Sequence, residues 1–432
     1  MVTEKSTQEL RIRRIKEQTS SIDKAVGKRQ IRYKEQTEGM ETYKINVTDL
    51  IFNQYNGRLG TVIKTHEKTR GSIDPQDPQD EKIITDYLWE SNINANKATY
   101  KDIKEKSQLE PGIITADGVI IDGNRRCMLL KRLAIEQKNT PTYFTCVVLK
   151  DTIDSAPKEI RKLETQAQMG EDAKVDYNPM EKHLKTRELI EEDGFSEGEV
   201  AKMMGSKVSD VQDSLNIINL LDEYLKYHGY VGMYQIATVQ KLEGPLVDLN
   251  NYVKRYEKKT RLDMDWEAEK EDISDLKDTY FDYIRAGFLA QSGTRYIGNP
   301  KKDNGFFNDK NLFKEFSKRH EETMSTVKEV GLDEMLKERP SDDPVKVIVA
   351  RDNNYKNQVD DDFNKNLRRT KAKLETINFM DKPFEILEDV DAKLIKMPDD
   401  PYFEDDSAAL NMIKRIAKRL YLLQKPLEKK VK

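Results

Sequence analysis

The sequence predicts an α+β fold for its N-terminal part and a mainly α-helical structure for the rest. Two short apolar runs at 113–114 and 119–121 flank an Asp117-Gly118 pair, which is a strong turn signal for a β-hairpin. A further apolar run at 143–149 is typical of a buried strand. Farther along the chain the apolar residues recur mostly at helical spacing, so we expect helices there.

Length and composition limit the class of protein. A chain of 432 residues is long enough for about two to four domains. Its 74 basic and 78 acidic residues nearly balance, so any DNA contact must come from local patches rather than from overall charge. No apolar run approaches the roughly 18 residues of a membrane span, and the N-terminus lacks the apolar segment of a signal peptide. We therefore expect a cytoplasmic protein without a membrane partner.

Cysteine and histidine are too sparse for a zinc module or a disulfide framework. The sequence contains two cysteines, Cys127 and Cys146, and four scattered histidines. This usage fits a reducing compartment.

The first 39 residues are polar and basic. Ile12 and Ile15 are too few to form a convincing apolar helix face. We therefore predict a flexible basic arm over 1–39, with binding of DNA or a partner as the alternative.

The globular pattern begins after this arm. Tyr43, Ile45 and Val47 alternate with polar residues, as expected for a half-buried strand. An Asn56-Gly57 turn then presents Arg58. Farther on, the composition predicts a surface loop at 72–80 and a helix near 83–89.

The most informative stretch follows the hairpin. Asp122-Gly123-Asn124 ends the second strand, and apolar residues then recur at helical spacing. Arg125 and Arg126 therefore lie where a strand changes to a helix N-terminus. Unpaired backbone N–H groups and two guanidinium groups at one point would make a phosphate site. Alternatively, the arginines pair with carboxylates and hold the turn in place.

These elements resemble the N-terminal domain of ParB-type partition proteins, a domain shared with sulfiredoxin. The segment 53–58 is similar to the family's Asn-Pro-x-x-x-Arg segment, with Gln54 in place of the proline. The turn at 123–126 is similar to its Gly-Glu-Arg-Arg motif, with Asn124 in place of the glutamate. In the family this motif lines a pocket in which CTP is bound and slowly hydrolysed. The sulfiredoxin branch is disfavoured because Asn124 stands where its reactive cysteine would be, and Cys127 is expected in the core.

The resemblance also implies a ligand set. Glu164 matches the glutamate of the family's Glu-Asn-x-x-Arg segment, whereas Gln168 replaces its arginine. The nucleotide-binding residues implied in this way are Arg58, Gly123, Asn124, Arg125, Arg126, Glu164 and Gln168. The implied cofactors are CTP or another NTP with Mg²⁺, and Glu164 is the candidate for metal binding and catalysis. Because Gln168 removes a charge-assisted contact, we expect nucleotide binding rather than hydrolysis, and slow NTPase activity stays open.

A helix-turn-helix is predicted downstream. Asn178-Pro179 resembles the family's Asn-Pro-x-Glu helix start. Ser196 and Glu199 form a capping-box pattern, and Gly205 ends the short helix that they begin. The candidate DNA-binding residues on the following helix are Lys207, Ser209, Gln212 and Asn216. Asp210 and Asp213 on the same helix would repel phosphates, so the alternative is a pair of helices kept for packing.

The resemblance ends near residue 242. We predict domains at 1–39, 40–155, 156–245 and 246–432, the last mainly helical and of unknown role. An amphipathic helix at 407–423 is expected to pack on its own domain, with a homodimer contact as the alternative.

Three classes of function stay open from the sequence. The first is a ParB-like, nucleotide-dependent DNA-binding protein with a partition, mobile-element or phage-related role. The second is an enzyme that hydrolyses DNA or NTP; as a nuclease it would use the carboxylates of Asp117, Asp122, Glu164 and Glu171, and it is the less favoured. The third is an adaptor that keeps the fold without pocket chemistry.

Overall fold

The computed structural model describes residues 7–53, 57–137, 140–169, 178–258, 266–301, 304–340, 342–381, 387–388, 390–392 and 407–431. Asn56 of the predicted Asn56-Gly57 turn and the carboxylate candidate Glu171 lie outside these ranges. The chain divides into two units, 1–367 and 368–432.

One mixed sheet organises the N-terminal part. Its strands are β1 (Ala25–Tyr33), β2 (Gln36–Asn46), β3 (Gly112–Ile114), β4 (Ile120–Asp122) and β5 (Tyr143–Val148), in the order β1-β2-β5-β3-β4. β3 runs parallel to β5, and the other pairs are antiparallel. The predicted hairpin and the predicted buried strand are therefore confirmed, and the fold class is α+β.

Both faces of the sheet are covered. The N-terminal helices are α1 (Gln8–Gln18), α2 (Gly60–Arg70), α3 (Pro78–Glu90), α4 (Ile93–Lys106) and α5 (Asn124–Glu136). On one face, Ile45 and Phe144 pack with Met128 and Leu129 of α5. On the other face, the sheet packs against Ile160 and other apolar residues of the next helix, α6 (Pro157–Met169). This second contact brings α6 beneath the end of β4.

The hairpin turn requires glycine. Gly118 has a φ of +86°, and a Cβ added there would lie 2.4 Å from the carbonyl oxygen of Asp49. No other residue fits this conformation and this close approach without strain.

The prediction of a flexible arm over 1–39 is wrong for the residues of α1 and β1. Ile15 is 1% exposed in the main core, and the buried Arg11 donates a hydrogen bond from Nε to the carbonyl oxygen of Asp117. Ile31 and Tyr33 anchor β1 on the other face of the sheet. These few anchoring residues suffice because they contact residues far along the chain, and local periodicity does not reveal such contacts.

The chain beyond the sheet is helical. Its first helices are α6, α7 (Pro179–Glu191), α8 (Glu197–Met203), α9 (Val208–Tyr227), α10 (Gln235–Val239) and α11 (Glu243–Glu257). Asn178 caps α7 through its side chain, and Ser196 and Glu199 form the predicted capping box of α8. α7 packs against α2, α8 and α9.

The first unit continues as helices around an aromatic core. They are α12 (Lys270–Arg285), α13 (Thr294–Gly298), α14 (Lys310–Met324), α15 (Leu332–Glu338) and α16 (Pro344–Asp381), the last of which extends into the second unit. Tyr283 stacks on Phe363 with ring centroids 4.1 Å apart. The mainly helical structure predicted for this region is confirmed.

The second unit contains α17 (Ser407–Val431), which covers the predicted helix at 407–423 and extends beyond it. The apolar residues Leu410, Ile413, Leu420 and Leu423 are between 37% and 58% exposed. The expected packing of this face on its own domain is therefore not seen in the described residues, and the homodimer contact stays a prediction. Among those residues no helix has both the length and the apolar character needed to cross a membrane. The domain boundaries near 155 and 245 also stay predictions.

Candidate functional site

The site is built around the turn between β4 and α5. Gly123 precedes the first helical residue with φ 101° and ψ 22°, and a Cβ there would lie 2.8 Å from Cζ of Phe144. The first N–H groups of a helix have no partner within it, so this turn directs backbone donors toward one point. A helix start of this kind is a suitable place for an anion.

Arg125 lies in the first turn of α5 and is partly buried. Its Nε donates a hydrogen bond to Oδ1 of Asn96 at 2.9 Å. Burial, and then the positive charge of the nearby Arg58, lower the pKa of the Arg125 guanidinium below its usual value. An anion between these two arginines would be attracted by both, and it would relieve their mutual repulsion.

Arg126 has a different environment. Its Nη2 lies 3.1 Å from Oδ2 of Asp122, and its Nη1 donates a hydrogen bond to the carbonyl oxygen of Glu110 at 2.6 Å. Arg29 of β1 binds the same Asp122 oxygen at 2.8 Å. These contacts favour the alternative in which this arginine holds the turn. The nucleotide-binding role of Arg126 stays a prediction.

Two buried asparagines connect the turn to the segment after β2. The backbone N–H of Asn53 donates to Oδ1 of Asn124 at 3.2 Å, and Nδ2 of Asn124 donates to the carbonyl oxygen of Ile120. Each asparagine is 3% exposed. Asn124 therefore positions the start of α5 against the beginning of the 53–58 segment.

Helix α6 brings Glu164 and Gln168 to the same place. The fully buried carboxylate of Glu164 accepts hydrogen bonds from Nδ2 of Asn53 at 2.8 Å and from Nη1 of Arg161 at 3.1 Å. Nζ of Lys185, on α7, lies 3.7 Å from the same carboxylate. Gln168 donates from Nε2 to the carbonyl oxygen of Ile121 at 3.2 Å, next to the turn. These residues form a single polar cluster below the start of α5.

The surroundings of Glu164 are cationic, which opposes a metal ion. Asp122 is occupied by two arginines, and Asp117 accepts hydrogen bonds from Gln8 and Thr115. Within the described ranges, no group of three or more His, Cys, Asp or Glu side chains is arranged to hold a metal ion. The metal and catalytic roles of Glu164 stay predictions without support from its neighbours.

The buried cysteine agrees with the sequence argument. Cys127 is fully buried, and burial raises the pKa of its thiol to about 12. A thiol with this pKa is protonated at neutral pH and is a poor nucleophile.

Two clefts lie near this region without enclosing it. One, of about 260 Å³, is bordered by Phe52, Asn53 and Asp117. The other, of about 820 Å³, lies between α1, α3 and α5. Neither is lined by Arg125 or Glu164.

Sequence reasoning missed Asn96 and Lys185. Asn96 lies near the start of α4 and donates from Nδ2 to the carbonyl oxygens of Leu88 and Trp89, which leaves its Oδ1 for Arg125. Lys185 lies on α7, which is buried on several sides. The apolar periodicity of one helix indicates a single buried face, so it gives no signal for a buried lysine on another face.

The second candidate surface is the pair of helices α8 and α9. Lys207, Ser209, Gln212 and Asn216 are exposed at the start of α9. Gln212 donates a hydrogen bond to Glu197 of α8 at 3.0 Å. The role of these four exposed residues in DNA binding stays a prediction.

The two aspartates of α9 have partners within the protein. Asp210 accepts a hydrogen bond from the backbone N–H of Lys207 at 3.0 Å, and Asp213 binds Nζ of Lys254 and Nδ2 of Asn250. Asp213 is therefore neutralised by α11. The repulsion expected from the sequence is smaller than two free carboxylates would produce.

Comparison with solved structures gives a likeness to a chromosome-partitioning ParB protein. No model of a known protein family matches the chain, and no curated protein matches it significantly. A C-terminally truncated ParB from Caulobacter crescentus, complexed to the centromeric parS site, is 14% identical, with a TM-score of 0.28 over 47% of this chain and 88% of its own. The same truncated ParB complexed with CTP-gamma-S is 13% identical, with a TM-score of 0.15 over 49% of this chain and 98% of its own. Because identity and TM-score are both low, no property of these proteins is transferred through them.

Proposed function

We propose that this chain is a nucleotide-dependent DNA-binding protein that binds CTP or another NTP at the Gly123 turn and DNA through α8 and α9. The observation that carries the nucleotide site is that Arg125 and Arg58 lie near each other at the start of a helix whose N-terminus has no side-chain cap. Guanidinium groups and helix N-termini are the groups that proteins commonly use for phosphate.

Binding without efficient hydrolysis fits the rest of the cluster. Hydrolysis needs groups that stabilise charge on the transferred phosphoryl group and orient a water molecule. Glu164 is already engaged by Asn53 and Arg161, and the neutral Gln168 is turned to the backbone of Ile121. We therefore propose that the ligands of Mg²⁺ are phosphate oxygens of a bound nucleotide rather than a set of protein side chains.

DNA is the partner that best fits the second surface. Lys207, Ser209, Gln212 and Asn216 supply one cation and several hydrogen-bonding groups at the start of α9. A lysine of this kind contacts phosphate, and amide side chains such as that of Gln212 contact base edges. A nucleotide would alter DNA binding only if it binds one conformation of the protein more tightly than another.

The test is isothermal titration calorimetry with CTP, ATP and GTP, each with and without Mg²⁺, on the full chain. We expect saturable heat with at least one nucleotide and a changed affinity for duplex DNA in its presence. An absence of heat with every nucleotide would refute the nucleotide site.

The adaptor is the rival that a specific observation favours, because Arg126 is bound within the fold. If the protein is an adaptor, a folded Arg125→Ala variant should bind DNA with the affinity of the wild type. This should hold both with and without nucleotide. Loss of the nucleotide effect in that variant would exclude it.

A further inference from the structure

Among the described residues, the buried ammonium group of Lys185 has no hydrogen-bond acceptor. Its side chain is 2% exposed, and its Nζ makes no hydrogen bond to any described residue. The carboxylate of Glu164, 3.7 Å away, is too distant for a hydrogen bond. An ammonium group has three N–H donors, and burying them unsatisfied is strongly unfavourable.

The charge of Lys185 is compensated, but its donors are not. Arg161 binds both Glu164, at 3.1 Å, and Asp193, at 3.5 Å. These two carboxylates together balance Arg161 and Lys185. What Lys185 lacks is therefore an oxygen within hydrogen-bonding distance rather than a negative charge.

The position of Lys185 joins it to the candidate site. The Glu164 carboxylate that faces Lys185 also accepts a hydrogen bond from Asn53, whose backbone N–H binds Asn124 in the first turn of α5. Lys185 thus lies on the α7 side of the cluster, whereas Arg125 lies on the α5 side. Glu164, Asn53 and Asn124 therefore connect Lys185 to the helix start at which the nucleotide is proposed to bind.

We propose that Lys185 is a phosphate-binding residue of the nucleotide site and that its ligand atoms belong to the terminal phosphates of a nucleoside triphosphate. This inference rests on the proposed function. The missing acceptor is supplied by non-bridging phosphate oxygens, which are strong acceptors for an ammonium group. Since α7 packs against α8 and α9, the contact also ties the bound nucleotide to the candidate DNA-binding helices.

The experiment measures the affinity of the full chain for CTP, CDP, CMP and cytidine by isothermal titration calorimetry, with the adenosine series used if ATP is the better ligand. We expect the wild type to bind more tightly as phosphates are added. In Lys185→Met the triphosphate should bind roughly 10- to 100-fold more weakly, the loss of a charge-assisted hydrogen bond, whereas CMP should bind almost unchanged. Lys182→Met, the same substitution on the same helix, is the matched control and should bind as the wild type does.

A second variant distinguishes a loss of phosphate binding from a folding defect. Lys185→Met leaves Glu164 with less compensation, so the double variant Glu164→Gln, Lys185→Met removes both charges of the pair. We expect the double variant to keep the triphosphate-specific loss. Recovery of triphosphate affinity in the double variant, or equal loss for CMP and CTP in the single variant, would assign Lys185 a structural role and overturn the proposal.

The two proposals fail in different ways. A wild type that binds no nucleotide refutes the proposed function itself. A wild type that binds CTP, together with a folded Lys185→Met variant of equal affinity, refutes only the role of Lys185.

Discussion

Arg125 and Arg126 are neighbours in the chain with different partners. Arg126 shares the carboxylate of Asp122 with Arg29, whereas Arg125 binds the neutral Asn96 and faces the positive charge of Arg58. A guanidinium paired with a carboxylate contributes to stability, and one held near a like charge is available to an anion. We therefore expect Arg126 to contribute mainly to stability and Arg125 mainly to anion binding.

Alanine substitutions test this separation. Arg126→Ala should lower the free energy of unfolding by roughly 1–2 kcal/mol, because it removes an ion pair that is mostly shielded from solvent and a hydrogen bond to the backbone. Arg125→Ala should change it by less than about 1 kcal/mol and weaken nucleotide binding about tenfold or more. Urea unfolding and calorimetric titration of both variants measure the two effects. A larger loss of stability in Arg125→Ala, together with weaker nucleotide binding only in Arg126→Ala, would contradict these roles.

Glu181 is a second residue whose environment has a measurable consequence. It lies in the first turn of α7 and accepts a hydrogen bond from the backbone N–H of Thr61 at 3.1 Å, so it joins α7 to the start of α2. Burial raises the pKa of its carboxyl group from 4.5 to about 7, although the hydrogen bonds from Thr61 act in the opposite direction.

The sign of the pH dependence follows from this pKa. The folded protein holds the proton more tightly than the unfolded chain, so the contribution of Glu181 to stability is complete below pH 4.5 and is lost as the pH rises through about 7. The loss should not exceed ~3 kcal/mol. Urea unfolding of the wild type and Glu181→Gln at pH 5 and pH 7.5 measures it. Parallel pH profiles for the two proteins would show that Glu181 is not responsible.

At the scale of elements, local chemistry determines where helices and turns begin. Asn178, Ser196 and Gly118 are each at the position that their side chain or backbone conformation requires. The orientation of α9 is different, because it depends on what packs behind the helix. Asp213 is directed to Lys254 and Asn250 of α11, and this leaves the exposed side of α9 less acidic than its sequence suggests.

Lys207→Ala tests the DNA-binding surface of α9. The exposed ammonium group at the start of the helix should neutralise about one phosphate, so its loss should weaken binding and reduce the slope of log affinity against log salt by about one. Lys226→Ala, at the far end of the same helix, is the control. Fluorescence anisotropy with duplex DNA at several salt concentrations gives both slopes. Equal slopes in the two variants would show that the start of α9 does not contact DNA.

At the scale of the first unit, a buried ion-pair network joins segments that are distant in the chain. Arg285 of α12 is 2% exposed in its side chain, and its Nε lies 2.7 Å from Oδ1 of Asp352 in α16. Its other nitrogens bind Glu329 and the hydroxyl group of Tyr230. This network connects the segment after α9 to α12 and α16, and its donors are well satisfied, which is typical of a structural role.

Arg285→Met should be strongly destabilising. Removing one member of a buried ion pair leaves the carboxylates of Asp352 and Glu329 without their main cation, at a cost of about 3–5 kcal/mol. Arg295→Met, an exposed arginine whose Nε binds the carbonyl oxygen of Ala290, is the control. Thermal and urea unfolding compare the two, and a loss below about 1 kcal/mol in Arg285→Met would contradict the role of the network.

The sequence by itself determined the features that depend on neighbouring residues. The hairpin at 113–121, the strand-to-helix turn at Gly123 and the capped starts of α7 and α8 follow from turn glycines, caps and apolar spacing within a few positions. These signals are local, so one chain without relatives is enough to detect them.

Only the tertiary structure decided which side chains meet. Asn53 reaches Glu164 across 111 positions, and Lys185 approaches the same carboxylate from another helix. The structure of α1 and β1 was likewise decided by contacts with Asp117 and with apolar residues such as Val147, which lie far along the chain. The physical reason is that burial and hydrogen bonding depend on distance in space, which local periodicity does not encode. The role of an arginine or a buried lysine is therefore settled only when its partners are in place.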